Sequence, residues 1–181
     1  MRKILAVAGQ PGTGKTTLFR RFIAQHQWTV VEPKKTLNGL YCAELDLYIL
    51  GKYAEGEIFS GTDKLSMSVQ PMADAFVKET QSNVLFEGDR LTNGKFYDAL
   101  LSLPDTEVNF LILSAKNATL KARYAERGSD QSETFLRGRE TKIAKILSNF
   151  DYRPNIVEFE NENLHDQDRV LNFVNQFFSK R

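Results

Sequence analysis

The stretch KILAVAGQPGTGKTT, Lys3 to Thr17, decides how the rest of the chain is read. Its first half, Lys3 to Ala8, is a short continuous apolar run, which is how a central strand covered by helices on both faces reads. Its second half, Gly9-Gln10-Pro11-Gly12-Thr13-Gly14-Lys15-Thr16, fits G-x-x-x-x-G-K-[ST] and stands between that strand and a helical pattern starting at Thr16. Glycines let such a loop turn its backbone N–H groups inward onto phosphate oxygens, and the helix N-terminus adds its partial positive charge. The motif places Lys15 across the β- and γ-phosphates of a nucleotide, the Thr16 hydroxyl on Mg²⁺ and Thr17 at the α-phosphate.

Outward from this loop, Leu18, Phe22 and Ile23 recur at helical spacing, and the apolar run Trp28 to Pro33 closes what reads as a first βαβ unit. Leu40 to Tyr53 alternates, with Leu45, Leu47 and Ile49 on one face, and reads as a β-hairpin inserted at about residues 38–62. A helix over Leu65 to Thr80, its main body after Pro71, leads to the strand-like NVLFEGDR of Asn83 to Arg90. Helix from Lys95 to Leu103, strand from Val108 to Ser114, helices from Asn117 to Arg127 and from Ser132 to Phe150, strand from Asn155 to Glu160 and a terminal amphipathic helix complete the chain. Strands alternating with helices specify a three-layer α/β fold on a central parallel sheet, here of five strands, in one domain of 181 residues with a helical lid at about residues 117–150.

Gly9 to Thr17 (GQPGTGKTT) resembles the loop of the P-loop kinases, in particular nucleoside monophosphate kinases and phage polynucleotide kinases. The strand and helix order is similar to that fold over nearly the whole length. The resemblance implies an ATP-dependent kinase using Mg²⁺, with Gly9, Gln10, Pro11, Gly12, Thr13, Gly14, Lys15, Thr16 and Thr17 binding ATP.

In P-loop enzymes a second central strand delivers a carboxylate to Mg²⁺, and VLFEGDR ends in Glu87 and Asp89. Glu87 is assigned to the metal and Asp89 to the acceptor, with the exchange of these roles left open. Nucleoside monophosphate kinases carry a similar Asp-Gly-x-Pro-Arg pattern whose arginine touches the acceptor phosphate. Glu-Gly-Asp-Arg lacks the proline, and Arg90 inherits the role by position.

Arg123 and Arg127 lie four apart on one helix face before Gly128, as in a kinase lid whose arginines close over the transferring phosphoryl group; a solvated basic face is the alternative. Arg137, Arg139, Lys142 and Lys145 give the following helix a local positive surplus that suits a polyanionic acceptor or simply faces solvent. A hydroxyl acceptor needs a base, and Asp63, in the loop with Gly56 and Gly61 and before a predicted helix, is the candidate; capping that helix is its other reading. The segments Gly61 to Pro71 and Glu87 to Phe96 look like the phage kinases that phosphorylate 5-hydroxymethyluracil in DNA, which makes that base the most specific acceptor expected. A nucleoside, nucleotide or other small-metabolite kinase is the alternative within the class, and an ATP-gated binding protein the alternative outside it.

Composition narrows the setting. With 24 basic and 23 acidic residues, no global field draws the chain to nucleic acid or membrane, so a polyanion would need a local patch. No apolar run approaches the roughly 20 residues of a membrane span. The single cysteine, Cys42, reads as a buried structural thiol, and with no secretory pattern at the N-terminus the expected location is the cytoplasm. His26 and His165 have no companions at ligand spacing in the sequence and read as structural or surface residues. An Asn-Lys-x-Asp guanine-reading motif is absent, against a GTPase.

Overall fold

The computed structural model describes residues 1–54 and 60–179; Gly56 and part of the expected insertion lie outside the described residues. Five strands run parallel in the order β4 (Leu47–Leu50), β5 (Asn83–Glu87), β1 (Arg2–Gly9), β6 (Thr106–Ser114) and β7 (Ile156–Glu160). Beyond β4 the sheet continues antiparallel with β3 (Leu37–Cys42) and then β2 (Thr29–Lys34) at the edge. The helices are α1 (Lys15–Ile23), α2 (Gln70–Glu79), α3 (Gly94–Leu101), α4 (Asn117–Glu126), α5 (Glu133–Leu147) and α6 (Leu164–Phe178).

Period-two side-chain alternation in β1 builds the two cores. Ile4, Ala6 and Ala8 face one way, against Ala73 and Val77 of α2, Phe96, Tyr97 and Leu100 of α3, and Ile146 of α5. Leu5 and Val7 face the other way, against Leu18, Phe19 and Phe22 of α1 and Val170, Val174 and Phe178 of α6. Burying each of these large side chains contributes roughly 1.5–3 kcal/mol, so the sheet is held from both faces. Local signals set the helix starts. Pro71 lies in the first turn of α2, and the side chains of Asn93, Ser132 and Asn163 accept from the backbone N–H of Phe96, Phe135 and Asp166 to cap α3, α5 and α6.

One expected strand is corrected. Trp28 to Pro33 does not complete a parallel βαβ unit; that stretch forms the antiparallel edge strand, and the second parallel strand is Leu47–Leu50. The physical reason is burial: Val30 is 80% exposed, whereas Leu47, Ile49 and Leu50 are fully buried. Pro33 cannot donate to a ladder and is tolerated at an edge, where the register shifts between Val31 and Lys34. The expected hairpin exists as β3 and β4, but it is part of the main sheet. Chain order then reverses at β1, which has β5 on one side and β6 on the other; ligands bind at such switch points, beyond the carboxyl ends of the strands.

Candidate active site

The loop from Gly9 to Lys15 follows β1 directly and ends on the N-terminus of α1. Gly12 has φ 80° and would drive a Cβ to 2.8 Å from the Tyr124 ring; Gly14 has φ 90° and would place one 2.9 Å from Gln167 Nε2. Both positions therefore need glycine, because the left-handed backbone and the close neighbours each exclude a side chain. No side chain caps α1 and its first turn holds no acid, which leaves its backbone donors available to an anion. Lys15 Nζ donates to the carbonyls of Gly9 (2.8 Å) and Gln10 (3.0 Å). Burial lowers the Lys15 pKa, while Glu87 and Asp63 pull it back up. A cradle of this kind, with a half-buried ammonium and open helix donors, fits a nucleotide polyphosphate.

The loop forms part of the wall of a cavity of about 610 Å³, on which Lys15, Thr16, Asp63, Glu87, Asp89, Arg90, Arg127, Arg139 and Lys142 converge. The end of β5 supplies Glu87, 2% exposed, to which Tyr53 Oη donates at 3.4 Å. Burial pushes the Glu87 carboxyl up to about 7; Lys15 and the Thr16 hydroxyl draw it down and Asp63 raises it. Because the folded state holds this proton more tightly than the unfolded chain, its stabilising contribution is complete below about pH 4.5 and is lost as pH rises towards 7. We therefore expect Glu87→Gln to gain stability relative to wild type across that window, by a few kcal/mol at most, at the conventional ~1.4 kcal/mol per pKa unit. Thermal denaturation of both proteins at a series of pH values measures the difference.

Asp63 sits in a short 3-10 turn (Thr62–Lys64) whose N-cap is Gly61, so it caps no helix end. An isolated antiparallel bridge between Lys52 and Gly61 holds the turn beside the sheet. Asp63 Oδ1 accepts from the backbone N–H of Asp89 (2.8 Å) and of Arg90 (3.2 Å), which fixes the carboxyl on the cavity wall. Asp89 pairs with Arg139 and, at 2.7 Å, with Lys142, so the end of β5 is tied to α5. Arg139 also stacks on Phe135, 4.5 Å from the ring centroid. Arg90 turns towards the Leu65 carbonyl and the Met67 sulfur but still lines the cavity. Arg137 is exposed and is not among the lining residues.

Arg123 of α4 and Arg127, the residue that caps its C-terminus, are held differently. Arg127 lines the cavity, whereas Arg123 donates to the carbonyls of Gly12 (2.8 Å), Asn161 (2.9 Å) and Glu162 (3.1 Å). Tyr124 Oη donates to the Pro11 carbonyl at 2.7 Å, and the Glu162 carboxylate accepts from Lys116 N–H and the Thr119 hydroxyl at the start of α4. Helix α4 thereby fastens the phosphate loop to the segment after β7. Replacing Arg123 by Ala removes a charged donor from three carbonyls and is expected to cost about 1–3 kcal/mol of stability, and to weaken nucleotide binding with it. Urea denaturation and a nucleotide titration read the two effects.

A second recess of about 320 Å³ lies on the other side of the loop, lined by Gly12, Gly14, Thr17, Arg123, Arg127, Asn161, Leu164 and Gln167. Asn161 Nδ2 donates to the Thr13 carbonyl at 2.7 Å, and Gln167 Nε2 to that of Gly14 at 3.4 Å. Lys142, one of the basic residues expected to suit a polyanionic acceptor, does line the main cavity, whereas Asn161, Gln167, Tyr124 and Phe135 were not legible as site residues. They stand far from the loop in sequence, and a polar Asn-Glu-Asn at 161–163 carries no local signature.

An α/β sheet with a phosphate loop at its switch point, a buried acid at the end of the neighbouring strand and a cationic cavity wall define a P-loop phosphotransferase. The chain superposes on an unliganded sugar kinase from Janibacter sp. HTCC2649 with a TM-score of 0.51 and 15% identity, over 98% of this chain and 94% of the other. A gluconokinase from Sinorhizobium meliloti 1021 aligns over 99% of this chain and 100% of its own at 13% identity and a TM-score of 0.47. At 15% identity the likeness to the sugar kinase is one of fold alone. No curated protein matches the sequence. Residues 1–163 match the model of the family P-loop Nucleotide Kinase3, and the chain belongs to that family. Among the described residues no helix is long and apolar enough to cross a membrane.

Proposed function

We propose that this kinase transfers the γ-phosphate of ATP to a hydroxyl of a nucleotide or nucleic-acid component, with Asp63 as the base. The observation that carries this reading is the Asp63 carboxyl, fixed through Oδ1 by two backbone N–H groups on the wall shared with Lys15. A carboxylate held in this way needs no reorganisation to take the acceptor's proton. Asp89 is less suited to that task, since Arg139 and Lys142 already neutralise it.

The phosphate loop divides the work. Thr17, Arg123 and Leu164 line the recess that suits the nucleoside end of ATP, and the donors of Gly12 to Thr16 lead its phosphates across into the main cavity. Lys15 would leave the Gly9 and Gln10 carbonyls for the β- and γ-phosphates, and Arg127 would cover the charge that spreads over the transferring group. Thr16 and Glu87 are the residues to hold Mg²⁺, which when bound neutralises phosphate charge. Glu87 would have to give up its proton for this role, so activity should climb as pH rises through about 7.

Beyond the phosphates the cavity offers the apolar sides of Phe135 and Ile143 with the cations Arg90, Arg139 and Lys142. A planar base between Phe135 and these cations accounts for that mixture, and the most specific acceptor we propose is 5-hydroxymethyluracil in phage DNA. A base within a duplex would have to leave its stack to enter. The same cations favour a second reading, in which the acceptor is the phosphate of a free nucleotide and Asp63 has no proton to take. Label from γ-labelled ATP is expected on hydroxymethyluracil DNA and not on the same DNA with thymine. Label on free nucleosides or nucleotides alone would remove the DNA assignment.

A further inference from the structure

We propose that His26, Cys42 and Glu44 form a second site, with three protein donors, for a divalent transition-metal ion of the zinc type. The fold brings His26 to Cys42 and Glu44, which stand two apart in the sequence. His26 follows the end of α1, where its N–H bonds the Ile23 carbonyl at 3.3 Å. Cys42 ends β3, and Glu44 stands in the turn that leads to β4. One ligand atom from each of the three lies within 4.8 Å of the others, and His26 Nδ1 is 3.7 Å from Glu44 Oε2.

Two of the donors are already held in place. Cys42 is 1% exposed, and the His26 ring is packed against Phe22, with centroids 5.3 Å apart, and against Trp28, at 6.2 Å. The third donor can move, since the Glu44 side chain is 76% exposed. Bonds of about 2.0–2.3 Å in a tetrahedron put the donor atoms roughly 3.3–3.8 Å apart; the His26–Glu44 pair at 3.7 Å already lies in that range, and closure of at most about 1 Å on Cys42 would complete the site. A mixed sulfur, nitrogen and oxygen set suits zinc-type ions, whereas Mg²⁺ takes oxygen donors. The site is therefore chemically distinct from Thr16 and Glu87. Water would fill the fourth position, and on binding the Cys42 thiol releases its proton to solvent with no change of oxidation state.

A histidine–glutamate ion pair beside a buried thiol is the plainer account of the same contacts, and it makes no use of sulfur. A bound ion would join the far end of α1 to the β3–β4 turn. Lys15 begins that helix, so the ion would brace the phosphate loop from behind.

The test uses the full chain after chelator treatment, with excess Mg²⁺ present to occupy oxygen-only sites. Zn²⁺ is titrated in competition with a chromophoric chelator, and Co²⁺ is followed by its thiolate charge-transfer absorption. Cys42 is the chain's one cysteine, so that absorption reports this site alone. We expect one Zn²⁺ per chain, a charge-transfer band with Co²⁺ and a rise in Tm on Zn²⁺ addition. Cys42→Ser should abolish the band, and Glu44→Gln, a change at an exposed side chain that leaves the fold intact, should weaken Zn²⁺ binding by about tenfold or more. A missing band in the wild type, or equal Zn²⁺ affinity in wild type and Glu44→Gln, would overturn the proposal.

Discussion

Lys15→Ala is expected to lower kcat for phosphoryl transfer on the order of a thousandfold while leaving a folded protein. The loss follows from what the ammonium can reach. It now donates to the Gly9 and Gln10 carbonyls at 2.8 and 3.0 Å, on the inner side of a loop whose remaining donors are backbone N–H groups. Alanine keeps those N–H groups but leaves the bridging charge between β- and γ-phosphates unbalanced, in a half-buried setting where water replaces it poorly. The fold should survive because Glu87, the acid closest in charge coupling to Lys15, can take up a proton; burial already pushes its carboxyl to about 7. Steady-state kinetics together with circular dichroism separate catalytic loss from unfolding. A variant that retained near wild-type kcat would remove Lys15 from the mechanism.

Asp63→Asn should lower kcat on a hydroxyl acceptor by about 10²–10⁴ and leave ATP binding nearly unchanged. The amide oxygen of asparagine can still accept from Asp89 N–H and Arg90 N–H, so the turn and the end of β5 keep their geometry. What it cannot do is accept a proton from the acceptor. Removing its charge should also bring the Glu87 carboxyl down, because Asp63 is one of the groups that raises it. The low-pH limb of the activity profile should then move to lower pH. An Asp63→Asn enzyme of full activity would favour the phosphate-acceptor reading, in which Arg90, Arg139 and Lys142 bind the acceptor and no base is needed.

How much of this was legible from the sequence depended on whether the signal was local. Gly9 to Thr17 could be read because strand, turn and helix N-terminus are contiguous, and Glu87 and Asp89 because they end a short apolar run. The alternation of strands and helices does specify five parallel strands, but the second of them is Leu47–Leu50 and not Trp28 to Pro33. Trp28 to Pro33 and Leu47 to Leu50 are both short apolar runs, and only three-dimensional burial tells an edge strand from a central one. Arg123 and Arg127 share a helix face in sequence. In the fold both line the second recess, but only Arg127 also reaches the main cavity, because Arg123 is held by three carbonyls contributed by the phosphate loop and the segment after β7. Asn161 and Gln167 reach the phosphate loop from near the far end of the chain, and Cys42 comes within 4.8 Å of His26, which follows α1. Contacts of that range leave no spacing to read.

The central claim, transfer to a hydroxyl with Asp63 as base, is tested most directly by mass spectrometry of the acceptor after incubation with Mg²⁺ and ATP. Wild type, Lys15→Ala and Asp63→Asn should each be offered nucleosides, nucleoside monophosphates, 5′-hydroxyl oligonucleotides and hydroxymethylpyrimidine DNA. The account predicts a new phosphate monoester on a hydroxyl with wild type, and strong loss of it with both variants. A product carrying a phosphoanhydride, made equally well by Asp63→Asn, or ATP consumed only to free phosphate, would contradict it.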